Sequence, residues 1–164
     1  MLIIIERGKE MISAKGSVQG IGITPDDSFP ENPKFFTVVS VSETAKIPEG
    51  MPDSLDILSI AVEAEIIKVH LKNTIKGTSK EGQEFQGFKL VCDVQLKQNI
   101  KYAANPKQSI HSVQYKRNVT GISVAVPPEI KIKGNKYKIQ ELFNQKRLTV
   151  LPYIEDIRGE QMGQ

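Results

Sequence analysis

An all-β fold, an antiparallel β-sandwich or flattened barrel with at most one or two short helices, follows from three features of the sequence. From Phe88 to Tyr102 seven of eight even positions are apolar and six of seven odd positions are polar, the period of a strand with one face on a core and the other in water. From Ile60 to Leu71 a second amphipathic run changes phase: Ile60, Val62, Ala64 and Ile66 hold the apolar face, then Ile67, Val69 and Leu71 take it over, the mark of a β-bulge. Between the two, Lys80-Glu81-Gly82-Gln83 reads as a hairpin tip with glycine at the left-handed position. Strands joined by hairpins without long helices between them mean antiparallel sheet, and at 164 residues two sheets must pack together or one must close.

The remaining elements are read in order. Leu2 to Ile5 is a short apolar run, either a first strand of the domain or an arm completing a neighbour's sheet, and these four residues are the candidate assembly contacts. Met11 to Thr24, interrupted by Gly16, Gly20 and Gly22, suits a strand kinked at glycine, and Pro25 to Lys34 is a loop. Phe35 to Val41 is β-rich and is closed by the turn Ile47-Pro48-Glu49-Gly50; Met51 to Leu58 reads as a short helical turn with Asp53 and Asp56 as solvated charges near its start. The strand from Phe88, roughly 50 Å long at about 3.3 Å per residue, is expected to bend or bulge near Gln98, where the alternation falters, and to stop at Asn105-Pro106. Ser109 to Tyr115 and Val119 to Val126 form one or two strands ended by Pro127-Pro128. Lys138 to Gln145 suits two turns of helix, and Leu148 to Ile157 a last strand interrupted by Pro152. One domain accounts for the length: residues 1–34 as an N-terminal arm, strands and loop, 35–157 as the main β domain and 158–164 as a tail.

Composition narrows the chemistry. The single cysteine, Cys92, lies on the apolar face of the long strand, which excludes an intrachain disulfide and leaves a core thiol. No twenty-residue apolar run exists, and the start of the sequence lacks the basic segment and long apolar stretch of an export signal. Net charge is +3 but uneven: between Lys68 and Arg147 stand sixteen Lys and Arg against five Asp and Glu, elsewhere six against fourteen. Such asymmetry suits nucleic acid, an anionic polymer or an oppositely charged copy of the chain; without interleaved aromatics or a reader motif, nucleic acid is the weakest of these and self-association the strongest. No nucleophile elbow, zinc motif or phosphate loop occurs. Glu63 and Glu65 share a face opposite the apolar positions, His70 falls on the polar side, and His111 and Ser112 point to opposite faces; Asn118-Val119-Thr120 matches a glycosylation acceptor only by coincidence. No catalytic residue, cofactor or metal ligand is therefore expected.

The stretch from Lys89 to Tyr115, opened by Gly87, resembles the SPOCS domain, a family of bacterial spore-coat assembly proteins. Gly87, Lys89, Leu90, Leu96, Ile100, Tyr102, Ile110 and His111 carry the likeness. The segment Met51 to Ile60 and the Pro152-Tyr153-Ile154-Glu155-Asp156-Ile157 motif extend it over roughly Phe35 to Ile157, most of the chain. The family's Pro-Phe after the histidine strand is replaced by Arg117-Asn118-Val119, and no LysM module is present, so no peptidoglycan binding carries over. The resemblance implies a noncatalytic structural protein of the endospore envelope, in coat, exosporium or a surface appendage. Such a protein is made in the mother-cell cytoplasm and deposited on the spore surface through contacts with itself and other envelope proteins. The missing reader motif and the missing long apolar run argue separately against a nucleic-acid partner and against membrane insertion. A carbohydrate-binding β-sandwich module is the alternative, weakened by the absence of Trp and by Tyr102 on the core face.

Overall fold

The computed structural model describes residues 2–6, 18–19, 21–23, 34–104 and 109–159. Their order is β1 (Leu2–Glu6), β2 (Val18–Gln19), β3 (Ile21–Ile23), β4 (Phe36–Ser40), β5 (Ser54–Thr78), β6 (Glu84–Ala104), β7 (Ser109–Val126), β8 (Glu129–Ile132), β9 (Asn135–Lys138), α1 (Ile139–Asn144), β10 (Leu151–Asp156) and β11 (Arg158–Gly159). The chain is all-β with one short helix, and the expected sandwich-like layering prevails over closure. The main sheet runs β3-β5-β6-β7 and ends at β3 and β7 without joining them, so no barrel forms. A smaller sheet, β10-β1-β4, supplies the second layer, and β8-β9 forms a separate hairpin.

Alternation puts the core where it was expected. Leu90, Cys92, Val94 and Leu96 of β6 meet Ile60, Val62 and Ala64 of β5 and Ile122, Val124 and Val126 of β7, and Ile139 of α1 and Ile154 of β10 close over them. Leu90, Cys92, Val94 and Val124 have no exposed surface, and an aliphatic side chain so placed contributes about 1.5–3 kcal/mol through burial alone. A smaller cluster at the far end joins Tyr102, Ala104 and Val113 to Ile47, Met51 and Tyr115. There Tyr102 donates through its hydroxyl to the Pro52 carbonyl at 3.0 Å, and the Tyr115 hydroxyl donates to the Lys46 carbonyl.

The long strand does not bulge at Gln98. That residue faces the core, 8% exposed, between Val62 and Tyr115, and β6 stays regular there. The irregularity is in its neighbours. Strand β5 uses 25 residues to pair with the 21 of β6, and the difference is absorbed at four places: Leu55, Leu58 and Ile67 are each left without a partner, and Thr74-Ile75 stand opposite Gly87 alone. The bulge at Ile67 is the one that the phase change announced. In β7 the extra residue falls at Thr120-Gly121, where Gly121 takes φ 74° and donates its N–H to Asp93 Oδ1 at 3.1 Å; the two candidate strands before Val126 are thus one bulged strand.

Other expectations are corrected. Met51 to Leu58 is not a helical turn: a turn closes between Pro48 and Met51, and β5 begins at Ser54, since Leu55 and Leu58 are outward bulge residues rather than one helix face. The sheets are not purely antiparallel, because β1 pairs in parallel with both β4 and β10, and β3 in parallel with β5. Pro152 does not interrupt the last strand. It lies opposite Ile3 within β10, an edge strand of its sheet, where a missing N–H is tolerated. Much of Met11 to Thr24 and nearly all of the Pro25 to Lys34 loop lie outside the described residues.

Candidate interaction surface

Because strand side chains alternate, the main sheet has a second face, pointing away from the core. Its cross-strand rows read Glu65-Gln95-Asn118, Glu63-Lys97-Lys116, Ala61-Asn99-Gln114, Ser59-Lys101-Ser112 and Asp56-Ala103-Ile110. The middle rows are polar and bonded across the strands. Lys97 Nζ meets Glu65 Oε2 at 3.0 Å, Gln95 Nε2 donates to Asn118 Oδ1 at 3.2 Å, and Ser112 Oγ donates to Asn99 Oδ1. The hydrogen bond and charge of Glu65 raise the Lys97 ammonium above its ordinary range.

The last row is different. Bulges turn Leu55 and Leu58 outward, 54% and 43% exposed, beside Ala103 and Ile110, the latter 69% exposed. A regular ladder would have sent alternate residues of this stretch to the core; two single-residue insertions instead keep both leucines in water on one corner of the sheet. The same device exposes Ile67 and Ile75 farther along β5. Burying these side chains against another protein removes apolar area from water.

The residues singled out in the sequence do not converge. Gly87, Lys89 and Leu90 stand at one end of β6 and Tyr102 at the other, roughly 40 Å away at about 3.3 Å per residue. Each has a local task. Gly87 adopts φ 109°, which a side chain would strain, where β6 leaves its partner β7. Leu90 fills the core; Lys89 lies on the outer face opposite Lys72; Tyr102 and His111 are direct cross-strand neighbours with stacked rings 5.6 Å apart. His111 Nε2 also lies 3.0 Å from Ser109 Oγ. Glu63 and Glu65 occupy the outer face and His111 the core-side face, so one sheet separates the carboxylates from the imidazole. Tyr153 sits in β10 opposite Ile4; the side chains of Glu155 and Asp156 lie outside the described residues, as do those of Leu2, Ile3, Ile4 and Ile5. The backbone of Leu2 to Glu6 is the centre strand of the small sheet, paired on both sides within its own chain.

Cys92 is an unreactive core thiol: burial, then the neighbouring Asp93 charge, pushes it up to about 11. Among the described residues no cluster of three or more His, Cys, Asp or Glu is placed to hold a metal, and no helix is long and apolar enough to cross a membrane.

One residue had no warning in the sequence. Beyond Phe88 the β5-β6 hairpin overhangs β7, and its tip, closed by Gly82 at φ 85°, folds back. There Gln83 Oε1 accepts the Ala125 N–H at 2.9 Å, and Nε2 donates to the Ser123 carbonyl and Thr37 Oγ1, each at 3.2 Å. A side-chain amide thereby does for β7 what a neighbouring strand would do, and ties it to β4. No protein-family model, curated protein or solved structure matches this chain.

Proposed function

We propose that the chain is a noncatalytic structural protein of the bacterial endospore envelope, working by protein-protein contact and self-assembly. It is made in the mother-cell cytoplasm and laid on the spore surface. The likeness of Gly87 to Tyr115 to the SPOCS pattern supplies the setting. The observation that carries the contact role is the corner of the outer face where Leu55, Leu58 and Ile110 are exposed together. An apolar cluster kept in water by bulges is a surface suited to a protein partner, and another copy of the chain is the partner proposed first. The separation of His111 from Glu63 and Glu65 across the sheet argues in the same direction, away from acid-base chemistry.

The test compares wild type with L55S/L58S/I110S by light scattering and electron microscopy, and follows a fluorescent fusion of each in a sporulating host. Wild type is expected to form ordered polymers and decorate the spore, while the variant remains a folded monomer. A wild-type protein that stays monomeric at every concentration and does not reach the spore surface overturns the proposal.

A further inference from the structure

Away from that corner, the β8-β9 hairpin and the end of α1 gather positive charge. Residues 129–147 hold Lys131, Lys133, Lys136, Lys138, Lys146 and Arg147 against Glu129 and Glu141. Glu129 stands opposite Lys138, but Lys131 stands directly opposite Lys136, a like-charge pair that weakens the hairpin it belongs to. No ion pair among the described residues involves Lys131, Lys133, Lys136, Lys138 or Lys146, unlike Lys97, paired with Glu65, and Arg117, paired with Glu43.

The backbone adds an independent observation. Among the described residues only two that are not glycine have positive φ, Lys133 at 48° and Lys146 at 55°, and both belong to this patch. Lys133 and Gly134, the latter at φ 86°, form the two-residue turn between Ile132 and Asn135, whose first position favours Asn or Gly. Lys146 follows the helix, donating its N–H to the Phe143 carbonyl while Arg147 N–H reaches Leu142, a C-terminal motif whose left-handed residue is usually Gly. Lysine is a poor choice for either backbone and a good one for charge. Strain held at a site by an unsuitable residue points to a role for its side chain.

We propose that this patch binds a linear phosphate polymer, recognised by charge density rather than by sequence. Lysines act as flexible point charges and suit a chain of evenly spaced anions, whereas a discrete carboxylate partner favours the planar fork of Arg. Arg147 is committed instead to the Tyr137 ring, 4.8 Å from its centroid. That contact covers a face of Tyr137, and Phe143, the other ring within residues 129–147, packs against the core, so the patch is poorly suited to base stacking and a polymer without bases is the better fit.

The experiment measures anisotropy of fluorescein-labelled polyphosphate, and in a parallel arm poly(glycerol phosphate), against the full-length protein across a salt series. The central variants are K133N and K146G, which relieve the backbone and so keep or raise the thermal midpoint. Each is expected to lose about tenfold in affinity at about 50 mM salt and to flatten the salt slope by roughly 0.7–0.9. K101Q and K116Q on the outer face are expected to bind like wild type. The two polymer arms distinguish a phosphoanhydride from a phosphodiester source. Unchanged affinity in K133N and K146G, an equal loss in the outer-face variants, a marked fall in their thermal midpoint, or tighter binding of single-stranded DNA than of either polymer each overturns the proposal.

Discussion

The two main sheets of this molecule are built on opposite plans. Strands β5, β6 and β7 follow one another in the chain and pair antiparallel, so each contact is made by near neighbours and, between one bulge and the next, a residue's face follows from its parity. Strand β1 instead joins residues 36–40 to residues 151–156 in parallel across the length of the chain. The first plan closes short loops and can assemble from its own hairpins. The second brings distant segments together and gains its contacts only after most of the chain is in place. The long sheet therefore carries the fold, and the small one depends on it.

The sharpest way to break that contrast is to delete single residues from β5. Removing Ile67, which has no partner, leaves a regular ladder and every other residue on its present face; the protein is expected to fold. Removing Val69, two residues on, is expected to abolish cooperative unfolding in urea, because either the register slips or Lys68 takes the half-buried, core-facing place beside Cys92. Equal tolerance of both deletions would show that parity does not govern the sheet. The next largest effect separates the layers: Leu90→Ala in β6 is expected to cost about 3–5 kcal/mol in chemical denaturation. Val38→Ala in β4, a residue 43% exposed, is expected to cost under about 0.5 kcal/mol.

The smallest effect concerns alkaline pH. With its native thiol pushed up to about 11 from an unfolded value of 9.0, Cys92 holds its proton more tightly when folded. Its contribution is complete below about pH 9 and declines between 9 and 11, by about 2–3 kcal/mol at most. Tyr102 and Tyr115, both raised first by burial, shift in the same sense. Cys92→Ala is thus expected to lessen, without removing, the fall of the unfolding midpoint over that range. Native Cys92 should also resist alkylation at pH 8 until the protein is denatured.

This contrast also explains what was legible in the sequence. Alternation located the core face of β6, the phase change located the Ile67 bulge, and Ile139, Leu142 and Phe143 marked α1, because each of these is a local periodicity with a local cause. The β8-β9 hairpin was equally legible, with Ile130, Ile132 and Tyr137 alternating about Lys133-Gly134, yet residues 129–137 drew no reading from the sequence. Leu55 and Leu58 misled, since their spacing suits a helix and only pairing with β6 shows them to be two insertions. Neither the parallel partners of β1 nor the reach of Gln83 leaves any trace in neighbouring residues. The exposed corner of the outer face belongs to both kinds: its apolar residues are plain in the sequence, while their meeting depends on strand register.

The Gln83 amide has a consequence for how the sheet exchanges with its surroundings. A marginal strand ordinarily surrenders its outward amides to deuterium as fast as solvent arrives, yet the Ala125 N–H is held by an oxygen delivered from a hairpin tip. Its lifetime in heavy water therefore reports the swing of that tip rather than the melting of the sheet, and one slow amide becomes a clock for a single hinge.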